Sequence, residues 1–182
     1  LASNSPRRKE LLSGLGICYE VKTLPGIEES YPDTLSGEEI PVFIACEKAD
    51  AYRQTMHSDE LIITADTIVW LDGLVMGKPE DEEDARRMLR CLSGKTHQVI
   101  TGVCLTTTEF QKSFATVTDV TFAELTEEEI DYYVQKYKPM DKAGSYGIQE
   151  WIGFVGVEGI TGSYFNVMGL PIQRLYKELK KL

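Results

Sequence analysis

Histidine is scarce in this 182-residue chain, where only His57 and His97 occur, which disfavours a histidine-rich metal centre, and any metal would be oxygen-ligated. The four cysteines (Cys18, Cys46, Cys91, Cys104) are scattered, with no C-x-x-C pair and no secretory leader ahead of them. Neither a disulfide framework nor a zinc site is suggested, and a reducing cytoplasm fits best. No apolar run approaches membrane-spanning length, which excludes a spanning helix. Positive charge is short as well: 19 Lys and Arg stand against 29 Asp and Glu, giving a formal net charge of −10. That field repels a polyanion, and no basic stripe overrides it, so nucleic acid is disfavoured while a single nucleotide is not. The dinucleotide fingerprint and the Walker A pattern are both absent, which removes Rossmann and P-loop chemistry.

What is present has the length of one compact domain, or of two lobes sharing a sheet, and can bury a core without staples. The chain opens on Leu1 rather than Met, so residues ahead of it are expected, with Leu1-Ala2 ending a first strand. Ser5-Pro6 reads as an N-cap and N1 proline opening a helix over about 6–15. Ile17, Tyr19, Val21 and Thr23 alternate as a strand does. Ser36 and Glu39 form a capping box for a helix reaching about His57. Leu61 to Ala65 reads as a buried strand, continued by Thr67 to Leu71 and an Asp72-Gly73 hairpin turn. A helix follows with Ala85, Met88, Leu89 and Leu92 on one face, then strands at about 97–108 and 114–123. Thr126 and Glu129 cap a helix to Tyr137, a strand is expected at about 152–157, and a last helix starts at Pro171. Strands that neighbour in sequence and elsewhere alternate with helices predict an α/β fold, a mixed twisted sheet flanked by helices.

Several residues sit where packing alone would not place them. Arg7, Arg8 and Lys9 put three cations into the first turn of a helix, where the macrodipole favours anions; free amides and guanidinium forks there would make a phosphate site, and a solvated basic turn is the equal alternative. Asp66 interrupts an apolar strand, where an ionised carboxylate is costly unless paired, hydrogen-bonded or metal-bound; a general base or metal ligand is the favoured reading over a turn cap. Lys48 shares the apolar side of its helix, where a lone lysine more commonly snorkels. Lys78 lies in a Gly-Lys-Pro tripeptide that is common in ordinary turns, and Glu28-Glu29 could lend Mg²⁺ a carboxylate, although a solvated acidic loop is the commoner reading of such a pair. Gln149, after two glycines, can present a donor and an acceptor to a base edge.

Six segments, in this order, resemble the Maf family of nucleotide pyrophosphatases: residues 1–8 (LASNSPRR), 47–49 (EKA), 65–67 (ADT), 77–79 (GKP), 142–149 (KAGSYGIQ) and 162–171 (GSYFNVMGLP). The resemblance runs nearly end to end. It implies one domain over 1–182 with an inosine-triphosphatase-like fold, two lobes around a central cleft. It further implies Asp66 as proton acceptor for the attacking water, and Arg7, Thr67 and Gln149 as the positions that choose the substrate. Ser5, Arg8, Lys48 and Lys78 would contact the triphosphate, and Glu28 with Asp66 would hold a divalent cation, Mg²⁺ or Mn²⁺. The Tyr-Gly-Ile-Gln segment is similar to the branch acting on dTTP and UTP, releasing monophosphate and pyrophosphate. One departure is Glu150-Trp151 after Gln149, where many relatives have glycine. The implied partner is a nucleoside triphosphate, with no nucleic acid or membrane and with room for a homodimer. Two alternatives stay open: a pyrophosphatase for another nucleotide such as 7-methyl-GTP, and a non-catalytic nucleotide-binding regulator of cell division.

Overall fold

The computed structural model describes residues 1–182. Its elements in chain order are α1 (Pro6–Ser13), α2 (Glu39–Arg53), β1 (Ile62–Leu71), β2 (Leu74–Met76), α3 (Glu82–Leu92), β3 (Thr96–Thr106), β4 (Gln111–Phe122), α4 (Glu127–Tyr137), α5 (Trp151–Gly156), β5 (Val157–Thr161), α6 (Tyr164–Val167) and α7 (Ile172–Leu179). A single 3-10 turn lies at Ala143–Ser145. The strands form one sheet in the order β2-β1-β3-β4-β5, flanked by helices, so the fold is α/β. β1 and β2 pair antiparallel, Leu71 facing Leu74 across the Asp72-Gly73 turn, and β4 pairs antiparallel with β5. No helix is long and apolar enough to cross a membrane.

The chain divides into two compact units. The first comprises 1–67, 100–116 and 169–182; the second comprises 68–99 and 117–168, so the division falls within β1, β3 and β4. In the first unit, Ile40, Ile44, Ala45 and Ala49 form the buried stripe of α2. Each of those isoleucines contributes ~1.5–3 kcal/mol by leaving water. α2 lies close to β3 because residue 102 is glycine: a Cβ there would come 2.3 Å from the backbone of Pro41 and Val42. The Thr64 hydroxyl of β1 donates to the Ala45 carbonyl at 2.7 Å, fixing the helix along the strand. These two contacts decide where the next turn of α2, with Lys48, comes to lie.

In the second unit, α3 buries Ala85, Met88, Leu89 and Leu92, the face expected from their spacing. α3 packs against α4, and Arg86 donates to Asp131 at 2.7 Å. Both arms of the Thr126–Glu129 capping box are formed, and α4 ends at Tyr137 as predicted.

Four expectations need correction. Residues 17–23 are not a strand, although the Leu1 amine donates to the Glu20 carbonyl and the Lys22 amide to the Leu1 carbonyl. The Ser36–Glu39 box is half formed, the Glu39 carboxylate taking the Ser36 amide at 3.0 Å, and the helix starts only at Glu39. It also stops at Arg53, because the Thr55 amide and hydroxyl both turn back to the Tyr52 carbonyl. Finally, 151–156 is a helix, with β5 beginning after it. The Gly153 amide donates to the Glu150 carbonyl, and a Cβ at 153 would lie 1.7 Å from the Ile148 carbonyl oxygen. Glycine there serves a tight crossing of backbone, which the β-branched neighbours disguised as a strand.

Candidate active site

Asp66 occupies the middle of β1, an apolar strand buried along nearly its whole length, and only 8% of the residue is exposed. Its Oδ1 lies 3.1 Å from the Lys48 ammonium, and that ammonium is also 2.8 Å from Glu29 Oε1. One cation thus sits between two carboxylates. Burial pushes the Asp66 carboxyl above its ordinary range, while Lys48 and then Arg8 pull it back. Burial thus strengthens the carboxylate's hold on a proton, and the neighbouring ammonium opposes that rise.

Side chains alternate along a strand, so Ala65 and Thr67 face the side opposite to Asp66. There the start of α1 arrives. Ser5 caps the helix, its hydroxyl accepting from the Arg8 amide at 3.4 Å, and Pro6 fills the first helical position. Arg8 reaches across the strand: Nε donates to the Gly169 carbonyl at 2.8 Å, Nη1 to the Ala65 carbonyl at 3.0 Å and Nη2 to Thr67 Oγ1 at 3.1 Å. Thr67 Oγ1 is in turn 2.9 Å from the buried Thr101 hydroxyl. Burial lowers the Arg8 pKa, with the charge of Asp66 opposing the effect.

The first unit therefore gathers Lys48 and Asp66 into one group, and Ser5, Arg8 and Thr67 into another. Arg7 is partly buried in the same first turn. Glu28 belongs to a pocket of about 710 Å³ lined by the 24–32 loop and by Phe43, Glu47 and Ala51 of α2; its neighbour Glu29 is the carboxylate that meets Lys48. Three contributors were not singled out from sequence. Glu29 was visible only as half of an acidic pair, Gly169 only as part of a longer segment, and nothing marked Thr101, one threonine among many.

Lys78 and Gln149 belong to the second unit. Lys78 is exposed on the loop after β2, and the Gly77 carbonyl accepts from the Gly144 amide at 3.1 Å, tying that loop to the 143–149 segment. The segment is firmly held. Tyr146 Oη lies 2.6 Å from His97 Nε2, and the His97 ring meets Phe122 edge-on at 5.1 Å. Burial drives the His97 pKa down to about 4, so the imidazole is neutral and supports the segment as a packed ring. The Gly147 amide donates to Tyr133 Oη at 3.0 Å. A Cβ on Gly147 would lie 2.4 Å from Glu150 Oε1 and 3.1 Å from Gln149 Nε2, so glycine lets the Gln149 amide fold back over the chain. Gln149 Oε1 is buried and has no hydrogen-bond partner, an unsatisfied acceptor of the kind a ligand donor would complete. Glu150, the unusual residue here, turns to Lys142 at 3.0 Å.

Comparison with known proteins places these features in a lineage. The model of the Maf-like protein family matches residues 1–182. A dTTP/UTP pyrophosphatase of Phocaeicola vulgatus is 82% identical over 182 residues, covering 100% of this chain and 94% of that protein. One of Bacteroides fragilis is 72% identical over the same shares, and one of Porphyromonas gingivalis is 56% identical, over 99% of this chain and 92% of that protein. Matched along its whole length by the family model and by relatives this near, the chain belongs to the Maf family.

Proposed function

We propose that this protein hydrolyses dTTP and UTP to the monophosphate and pyrophosphate. The observation that carries the reading is the Asp66 carboxylate, buried in β1, raised in basicity by burial and paired with the Lys48 ammonium. The names of the relatives at 82% and 72% identity supply the substrate.

Asp66 orients a water molecule and takes its proton as the oxygen bonds to the α-phosphorus; the bond from that phosphorus to the bridging oxygen breaks, and pyrophosphate leaves with the electron pair. Lys48 answers charge developing on the phosphate oxygens, and Lys78 offers a further cationic contact. Arg7 and Gln149 choose the base, Gln149 through its buried, unsatisfied carbonyl oxygen. A uracil or thymine edge carries an N–H for that oxygen and a carbonyl for the Gln149 NH₂.

The residues fit a divalent cation. Asp66 and Glu29 already share one positive charge between them, and Mg²⁺ takes one or two protein carboxylates when phosphate oxygens complete its shell. Asp66 with Glu29, or with Glu28 of the same loop, would hold it, and when bound it withdraws charge from the phosphate oxygens. All four cysteines are free thiols, which supports a cytoplasmic setting.

Pyrophosphate release over a panel of ribo- and deoxyribonucleoside triphosphates, with Mg²⁺ or Mn²⁺, tests the proposal. dTTP and UTP should lead the panel. Dominant purine turnover would overturn the base assignment, and nucleotide binding without turnover would favour a regulator.

A further inference from the structure

We infer that Arg8 is a positioning residue, whose guanidinium grips β1 on both sides of Asp66 and so fixes the carboxylate that activates water. Three of its five N–H groups are committed within the protein. One donates to the carbonyl of residue 65, one to the side chain of residue 67, and the third anchors the fork to the Gly169 carbonyl. The two contacts on the strand bracket residue 66. The inference rests on Asp66 being the base.

The alternative role for a first-turn arginine is to bind phosphate, and the geometry disfavours it. Two N–H groups stay uncommitted, but aiming the whole fork at a ligand would strip donors from two carbonyls and a hydroxyl in a partly buried setting and leave those acceptors unpaired. Thr67, which Arg8 holds, points away from the side of β1 on which Asp66 meets Lys48, whereas Lys48 stands directly against the carboxylate. The third bond, to the Gly169 carbonyl, ties the strand to the chain just ahead of α7, so the grip is anchored outside the strand itself. Thr67 is fixed from a second side by the Thr101 hydroxyl, which leaves its oxygen positioned to accept from Arg8. Only the planar fork of arginine can meet three acceptors in these directions; a lysine has the charge without the reach.

The test is a set of variants assayed on dTTP and UTP with the full chain. Arg8→Lys and Arg8→Met should both lower kcat by roughly ten- to a hundred-fold, the scale of a displaced catalytic group. The KM for dTTP and the Kd for non-hydrolysable α,β-methylene-dTTP should stay within about three-fold, because no ligand contact is lost. Calorimetric titration with that analogue gives the number of binding-competent sites, so that kcat is expressed per folded site and a loss of folded protein is not counted as a loss of turnover. A rise in KM and Kd with kcat kept, or restoration by lysine, would overturn the inference in favour of phosphate binding. If neither Arg8 variant folds, Thr67→Val removes one of the three acceptors without changing shape. It should lower kcat equally on dTTP and UTP with KM unchanged, and an unchanged kcat or a loss confined to one base would overturn the inference. Asp66→Asn measured alongside separates the two levels: full turnover in that variant refutes the base assignment itself, whatever Arg8 does.

Discussion

Lys48→Met removes one charge from between two carboxylates and keeps an unbranched side chain. In the folded protein the Lys48 and Asp66 side chains are 14% and 12% exposed, whereas that of Glu29 is 48% exposed. Glu29 therefore regains water when Lys48 is lost and contributes little, about 0–1 kcal/mol. Asp66 cannot do the same. Removing one partner of a buried pair costs about 3–5 kcal/mol while the other stays ionised. That figure is a ceiling, since Asp66 can escape it by taking a proton. Burial already raises its folded pKa above the value of 3.8 for an unperturbed carboxyl, and Lys48 is the largest influence holding it down. A raised carboxyl favours the folded state in its protonated form; that contribution is present at low pH and is lost as pH climbs from the unfolded value through the folded one. Without Lys48 the folded pKa moves further up and the window of loss widens upward. The destabilisation of Lys48→Met should thus be small in acid and approach its ceiling above neutrality. Urea unfolding of both proteins at pH 5 and pH 8 measures it. The acid limb of kcat should move to higher pH in the variant for the same reason. An equal destabilisation at both pH values, or a larger one at pH 5, would refute the reasoning.

On its proposed role as the base reader, Gln149→Leu should lose dTTP and UTP turnover by about 1–3 kcal/mol more than any secondary activity, such as that on CTP; equal proportional losses in steady-state kinetics would make Gln149 a structural element. On the proposal that Lys78 meets charge and not ring edges, Lys78→Ala should weaken all triphosphates by one common factor, and a changed dTTP to CTP ratio would move Lys78 to base reading. Thr126→Ala breaks a fully formed capping box remote in sequence from every site residue and should cost about 1 kcal/mol in urea melts with kcat unchanged.

Two of the candidate residues stood out in the sequence because their chemistry conflicts with their local setting. A carboxylate inside Leu61 to Trp70 and cations in a helix's first turn are both unfavourable unless something answers them, and the structure supplies Lys48 for the first and three acceptors for Arg8. The buried face of α3 was readable from 3.6-residue spacing, and the bounds of α4 from its capping box. What sequence could not carry was long-range. Arg8 and Gly169 are 161 positions apart, and Thr67 and Thr101 are 34 apart; nothing local records either meeting. The 151–156 helix failed for a related reason, since Gly153 answers to the Ile148 carbonyl in space and not to the pattern of its neighbours. Glu29 and Glu28 are indistinguishable by type, and only the fold shows which one turns to Lys48.

The most direct measurement of the central claim is the turnover of Asp66→Asn on dTTP and UTP beside its affinity for α,β-methylene-dTTP. Asparagine keeps the shape and can still accept a hydrogen bond from Lys48, but its amide cannot take a proton from water. General-base loss lowers kcat by ~10²–10⁴-fold, and the account predicts that drop with the fold intact and with analogue affinity largely kept. Because burial raises the folded pKa of Asp66, the neutral amide should also leave the protein at least as stable as the parent near pH 7. Turnover within a few-fold of the parent, about 1 kcal/mol of barrier, would contradict the claim.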